Sequence, residues 1–348
     1  APQRLGDKVG HLLGAAPGQV VVSDSTSVNL FKLVMAALAL RPERDCIVSD
    51  VLNFPSDLYV VQGCIDLLGN RHCLELVSSA DGIHVDAQAL DAAIDERTAL
   101  VTLSHVVFKS GFLYDAAAVT QRAHRAGALV LWDLSHSAGV VPMELDRWGV
   151  DLAVGCTYKY LNGGPGSPAF LYVRQDLQTE ARSPIWAWFG QRAPFEFDLN
   201  YQPRGGVARF LAGTPPVLSL LALEPALDLM REAGIERLRH KSERLTGYLV
   251  YLADEVLAPL GFRLGSPRAA ARRGSHVSLR HPEGYRINRA LIEEMRVLPD
   301  FREPDNLRLG LAPLYTTFAE VWEAVDRIRQ VVEEGRHLSY PLARLRVT

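Results

Sequence analysis

Between Gln19 and Val173, short apolar, β-rich runs alternate with stretches whose apolar residues recur at helical spacing. A mostly parallel sheet covered by crossover helices reads this way in sequence. The runs at 20–23, 46–50, 74–77, 99–104, 128–133, 151–156 and 169–173 predict strands, and helices are expected near 28–40, 56–68, 87–94 and 116–126. The expectation is an α/β domain on a doubly wound sheet, whose ligands gather outside the carboxyl ends of the strands because loops and helix N-termini converge there.

After an irregular stretch at 183–216, rich in Pro, Gly and aromatic residues, the pattern changes. Long helices are expected at 217–233 and 235–257, then a strand at 275–280, a helix at 285–295, a short strand at 307–310 and a last helix at 318–334. The biased segment at 268–273 reads as an exposed loop. The chain has 348 residues, and single cores stop growing at roughly 250–300. A large α/β domain over 1–214 and a smaller α+β domain over 215–348 follow. The chain enters a helical pattern almost at Ala1, so an upstream segment is expected.

A net charge of −3 with no Lys/Arg-rich run supplies no electrostatic footprint for nucleic acid or an anionic membrane. No apolar run approaches the ~20 residues that span a bilayer, and no signal peptide opens the chain. A cytoplasmic protein with a small-molecule partner is the expectation. Cys46, Cys64, Cys73 and Cys156 show no CxxC spacing and sit in apolar stretches, so they read as reduced structural thiols, with no zinc site.

The polar residues at strand ends are the candidates for chemistry. Asp133 ends one apolar strand and Lys159 follows the next, 26 positions later, a spacing that one crossover fits. An aspartate there can pair with a protonated pyridine nitrogen while the lysine reaches an aldehyde carbon across the ring. Alone, such an aspartate is more often a helix cap or turn former and such a lysine usually a solvated surface charge. Lys159, however, sits where buried strand passes directly into the glycine-rich turn Tyr-Leu-Asn-Gly-Gly-Pro-Gly. It precedes the glycines, which excludes a Walker loop. Ser25, Thr26 and Ser27 open a helix and are either a phosphate cradle or plain caps. Phe54 stands before Pro55, Ser56 and Asp57 at another helix start, where its ring could stack on a pyridine.

Phe-Pro-Ser-Asp, Trp-Asp-Leu-Ser-His and Thr-Tyr-Lys-Tyr-Leu-Asn-Gly-Gly in this order, followed by Trp188-Phe189-Gly190, Thr214-Pro215-Pro216, Arg272 to Val277, and Arg308 before Ala312-Pro313-Leu314-Tyr315, resemble the kynureninase family. The resemblance covers nearly the whole chain. It implies a fold-type-I large domain of the aspartate aminotransferase superfamily, pyridoxal 5'-phosphate (PLP) as cofactor, and hydrolysis of L-kynurenine to anthranilate and L-alanine in tryptophan degradation. It further implies a homodimer with active sites shared at the subunit interface.

Carried onto this sequence, the resemblance makes Lys159 the Schiff-base lysine, Asp133 the partner of the pyridine nitrogen, Phe54 the stacking ring and Tyr158 the general acid or base. Thr26, Ser27, Tyr158, Trp188 and Thr214 resemble phosphate-side contacts, the last two reaching a partner subunit's cofactor. Asp57, Ser104 and His136 match further cofactor-pocket positions, and Arg308 resembles the arginine that binds the substrate α-carboxylate. Gly213 and Thr214 stand where vertebrate relatives carry a Ser-Asn pair, which implies a preference for unsubstituted kynurenine over its 3-hydroxy form. The family's glycine-rich segment Asp-Gly-Asn-Ser-Leu-Gly has no counterpart here, in keeping with an upstream segment. Within the same fold the rivals are a cysteine desulfurase or selenocysteine lyase and a small aminotransferase, and outside catalysis a PLP-fold regulator. A desulfurase places its reactive cysteine late in the chain, whereas all four cysteines here lie at or before Cys156.

Overall fold

A computed structural model describes residues 1–343. Each of the seven runs expected as strands contributes to one sheet: β1 (Val20–Val22), β2 (Cys46–Asp50), β3 (Cys73–Val77), β4 (Thr98–Ser104), β5 (Leu129–Asp133), β6 (Leu152–Gly155) and β7 (Phe170–Val173). Their order is β1-β7-β6-β5-β4-β2-β3, and only β7 runs against the others. The five central strands are buried on both faces, while the edge strand β3 is largely exposed.

Helices α1 (Pro2–Leu12), α2 (Thr26–Leu40), α3 (Pro55–Leu67), α4 (Ala87–Ala93), α5 (Ala116–Arg125), α6 (Leu145–Trp148) and α7 (Val217–Ala233) accompany the sheet. The sequence sets several of their starts. The side chains of Ser25, Asp86 and Asp115 accept backbone N–H bonds from the first turns of α2, α4 and α5, and Pro55 opens α3, where its missing N–H costs nothing. Leu30, Leu33, Val34 and Ala37 of α2 are fully buried in one core with Ile47, Leu100, Leu131, Leu152 and Leu171 of the strands.

A second unit contains α8 (Ile235–Leu252), which passes into a wider π-type turn at Ala253–Leu257, then α9 (Gly284–Glu294) and α10 (Phe318–Glu333). Thr317 and Glu320 form a reciprocal capping box at the start of α10. These helices share a core with a four-stranded sheet of order β10-β11-β9-β8, formed by β8 (Arg263–Leu264), β9 (His276–Arg280), β10 (Asp300–Arg302) and β11 (Asn306–Gly310). β8 and β10 are absent from the sequence-based expectation, because two or three residues with charged side chains carry no readable alternation.

The division between units differs from the expected 214/215. Ala1–Ala80, Val85–Val106 and Tyr114–Ile235 form one compact unit; Asp81–His84, Val107–Leu113 and the chain from Glu236 onward form the other. The boundary moves past α7 because that helix packs on α1, with Glu224 bridging Arg4 and Lys8, and Asp228 accepting from Lys8 at 2.7 Å. The two short loops join the second unit through backbone pairing, Phe112 bridging Arg273 and Gly274 donating to the Gly111 carbonyl at 2.8 Å. Among the described residues no helix is long and apolar enough to cross a membrane.

The close packing of α1 on β1 depends on Gly6, where an added Cβ would meet the Val20 carbonyl oxygen at 2.1 Å. Gly63 in α3 faces open space instead. Gly6→Ala should therefore lower unfolding stability by about 1–3 kcal/mol through overpacking, while Gly63→Ala should raise it by about 0.5–1 kcal/mol through helix propensity. Urea unfolding midpoints of the two variants check the pair, and equal effects would contradict the packing argument.

Candidate active site

Strand pairing brings the expected residues together. Asp133 is in register with Ser104 of β4 on one side and Val154 of β6 on the other, and Lys159 lies a few residues beyond the end of β6. Thr26, Ser27, Phe54, Asp57, Asp133, His136, Tyr158 and Lys159 all line one cavity of about 540 Å³ at the carboxyl edge of the sheet. That volume falls within the range of small-molecule sites, about 300–1,000 Å³. Ser56 and Ser135, inside the motifs read from the sequence, line it too. Asp24 and Ser167 also line it, and sequence reasoning passed over them; their only signal was proximity to the motifs.

Each wall has a local cause. The amino end of α2 faces the cavity with Thr26 and Ser27, and the Ser27 hydroxyl lies 3.2 Å from that of Ser56 in the first turn of α3. Two helix N-termini thus meet at one point, which favours an anion. Asp24 takes a left-handed backbone conformation, φ 51°, and its carboxylate accepts from Lys32 Nζ at 2.6 Å. Lys32 is fully buried in α2 and also donates to the Phe210 carbonyl at 2.7 Å. Burial lowers its pKa and the Asp24 carboxylate opposes that. One buried cation therefore ties the loop before α2 to the segment at 206–210.

Ser104 is not on the cavity wall. Its hydroxyl donates to Asn53 Oδ1 at 2.7 Å, and the same oxygen accepts from the Phe54 backbone N–H at 2.8 Å. Asn53 Nδ2 in turn donates to the Ser49 hydroxyl at 3.0 Å. Ser104 acts through Asn53, setting the backbone that carries Phe54, whose ring is 40% exposed.

Trp188, Gly213 and Thr214 also lie off this wall. The Trp188 indole N–H donates to the Pro194 carbonyl at 2.6 Å, and its ring contacts Phe189, Phe195 and Phe197; Gly213 and Thr214 are exposed. Arg308 belongs to the second unit, where its guanidinium is held by Asp300 and by the Phe108 carbonyl.

The electrostatics centre on Asp57 and Asp133, both buried and hydrogen-bonded to each other. Burial raises Asp57 well above the usual carboxylate range, Asp133 raises it further, and the positive charge of Lys159 opposes both. Burial raises Asp133 as well, against Lys159 and the Ser135 N–H, which donates at 2.9 Å. Two carboxyls this close share a proton, which Asp57 holds and donates to Asp133. Burial pushes the Tyr158 phenol up to about 12, with further contributions from Cys156 and Asp133, although its side chain is half exposed. Lys159 Nζ lies 5.7 Å from the centre of the Tyr158 ring.

Residues 238–328 match the family model described as the kynureninase C-terminal domain. The chain is 45% identical over 335 residues to a kynureninase of Pseudomonas fluorescens, covering 95% of this chain and 79% of that protein. The chain belongs to the kynureninase family. Kynureninase of Burkholderia pseudomallei strain 1106a is 44% identical over 336 residues, again with 95% and 79% covered. In fold, this kynureninase-family chain resembles a cysteine desulfurase from Thermococcus onnurineus, with TM-score 0.81 at 20% identity over 95% of this chain and 84% of that one. It also resembles a lyase variant with glycine covalently linked to its PLP cofactor, with TM-score 0.80 at 19% identity over 94% and 84%. These two likenesses concern the fold alone.

The shared proton has a thermodynamic consequence. In the unfolded chain Asp57 titrates near its ordinary value of 3.8. Above that pH the folded apoprotein binds more protons than the unfolded chain, so stability falls as pH rises from 3.8 to the raised folded value. Relative to Asp57→Asn, the wild-type apoprotein should lose stability between about pH 4 and the end of that window. Urea unfolding of both proteins across the range tests this; a difference that stays constant or grows with pH would refute the shared proton.

Proposed function

We propose that this chain hydrolyses L-kynurenine to anthranilate and L-alanine with PLP held in the cavity at the carboxyl edge of the sheet. The observation that carries the reading is the convergence of Lys159, Asp133 and the N-terminus of α2 on one cavity in a chain 45% identical to a kynureninase over most of both lengths. We further propose a cytoplasmic homodimer with shared active sites. The exposure of Trp188, Gly213 and Thr214, away from the cavity of their own chain, supports a role for Trp188 and Thr214 toward a partner subunit's cofactor.

The donor set fits the cofactor. The phosphate matches Thr26, Ser27 and the α2 N-terminus, together with the Ser167 hydroxyl, which is buried without a protein partner. Phe54 offers a ring face, Asp133 an acceptor for a pyridinium N–H, and Lys159 an amine for the aldehyde. His136 completes the wall. When bound, PLP supplies an electron sink that stabilises negative charge at the substrate Cα.

The residues supply the remainder. Lys159 Nζ takes the Cα proton and returns a proton to the product alanine. Asp133 accepts the pyridinium N–H bond, with Asp57 behind it to hold or release the shared proton as the local charge changes. Water adds at the γ-carbonyl carbon while Tyr158, kept protonated by its surroundings, donates at the γ-oxygen and recovers a proton from the added water; the Cβ–Cγ bond then breaks as one hydroxyl proton of the hydrated carbonyl passes through Tyr158 to Cβ, leaving the carboxyl group of anthranilate and the methyl of alanine. Arg308 offers the α-carboxylate the planar fork whose two nitrogens are held by Asp300 and the Phe108 carbonyl in this structure.

The holoenzyme should generate anthranilate fluorescence from L-kynurenine, and Lys159→Ala should reduce that rate by at least about 10⁴-fold with loss of the bound-cofactor absorbance. Retained turnover in the variant would remove the central claim. Gly213 and Thr214 provide no Ser-Asn pair for a ring hydroxyl. The ratio of kcat/KM for kynurenine over 3-hydroxykynurenine should therefore exceed about 10, and a ratio below one would refute this preference.

A further inference from the structure

At their amino ends β2 and β3 carry a matched pair of thiols. Cys46 and Cys73 are direct register partners in these parallel strands, so their side chains leave the sheet on one face. Cys46 Sγ lies 3.9 Å from Glu75 Oε2, and Glu75, two residues beyond Cys73, shares that face because strand side chains alternate. Neighbouring strands lie about 4.7–4.9 Å apart, inside the Cα separations of about 4.4–6.8 Å that a disulfide spans.

The pair is asymmetric. Cys73 is exposed while Cys46 is 4% exposed. Burial, with Cys73 alongside, pushes the Cys46 thiol up to about 12, so the first attack belongs to Cys73. The Arg97 guanidinium, fixed by two bonds to Asp45 at 3.0 and 3.1 Å, acts electrostatically on both sulfurs. Neither Cys64 nor Cys156 belongs to this arrangement; both are buried elsewhere, Cys64 in α3 and Cys156 beside Ser135.

We infer that Cys46 and Cys73 form a redox-active dithiol, a site at which a hydroperoxide converts two thiols into one reversible intramolecular disulfide. Cys73 thiolate attacks a peroxide oxygen; an S–O bond forms, the O–O bond breaks and hydroxide leaves. Cys46 gives its proton to the Glu75 carboxylate and attacks Cys73 Sγ; the S–S bond forms, the S–O bond breaks and a second hydroxide leaves. The protons released by both thiols convert the two hydroxides to water. Two thiols and one hydrogen peroxide thus become one disulfide and two waters, each sulfur losing one electron.

The disulfide pins the edge strand β3 at the end of the sheet opposite the cavity, closing a loop that contains Phe54 and Asp57. Reduction by a dithiol releases it.

The test treats the holoenzyme with a small molar excess of hydrogen peroxide, blocks free thiols and digests without reductant before every Asp. Cleavage at Asp50, Asp57 and Asp66 separates Cys46, Cys64 and Cys73 into different peptides. Peptides 45–49 and 66–80 should appear joined, with the loss of two hydrogens, and separate after reduction. The link should survive in Cys64→Ser and vanish in Cys73→Ser, whose exposed position leaves the core untouched. Oxidation of Cys73 to sulfinic or sulfonic acid with Cys46 still a free thiol would overturn the proposal, as would linkage of Cys73 to Cys64 or to a second chain.

Discussion

Asp57 and Asp133 are two carboxyl groups taken out of water side by side, and neither can be ionised there without help. A shared proton and the positive charge of Lys159 are the help this structure provides. The requirement reaches outward. Asp133 must end a central strand, because only there does backbone from both neighbours bury it; Asp57 must sit in the first turn of α3, where the helix N-terminus partly offsets its charge. Lys159 must follow β6 immediately, since a strand one place further from β5 would leave the pair without its cation. The same arrangement that solves the burial problem presents an acid, a base and an acceptor to one cavity.

Around that core the side chains that never touch the cavity determine how the ones that do are held. The Tyr114 phenol donates to Asp50 Oδ2 at 2.6 Å, Asp50 Oδ1 accepts from the Leu52 N–H at 2.6 Å, and Asn53 relays Ser49 and Ser104 to Phe54. The side chains of this chain of contacts, Ser49, Asp50, Asn53, Ser104 and Tyr114, are buried, so a loose version would be more costly than an apolar one. On the other side Lys32, Asp24 and the Phe210 carbonyl close the loop before α2. The flexible chemistry of the site therefore stands on two rigid polar networks, one under each helix N-terminus.

The fold is shared with a desulfurase at TM-score 0.81 and 20% identity, and fold alone does not choose between their reactions. The choice lies in side chains. The cysteines of this chain are at the amino end of the sheet, in α3 and beneath Ser135, none of them lining the cavity. The cavity wall instead carries a phenol, that of Tyr158, beside Lys159.

Strand and helix identity along 20–173 was legible because alternation, apolar runs and caps such as Ser25, Asp86 and Asp115 act over a few residues. Asp133 and Lys159 were legible as strand-end residues for the same reason. The resemblance added their proposed roles and those of Phe54 and Tyr158. Local pattern carries no strand order, so it could not say that Ser104 stands behind Asn53, that Asp57 and Asp133 share a hydrogen bond, or that Lys32 reaches Phe210 across 178 positions. Nor could it say that Cys46 and Cys73, read as isolated structural thiols, lie side by side. Apart from the Lys32 contact, which joins α2 to the segment at 206–210, those relations follow from the order β4-β2-β3 and β6-β5-β4 in the sheet. That order is a property of long-range packing, decided only when the whole apolar surface is buried at once.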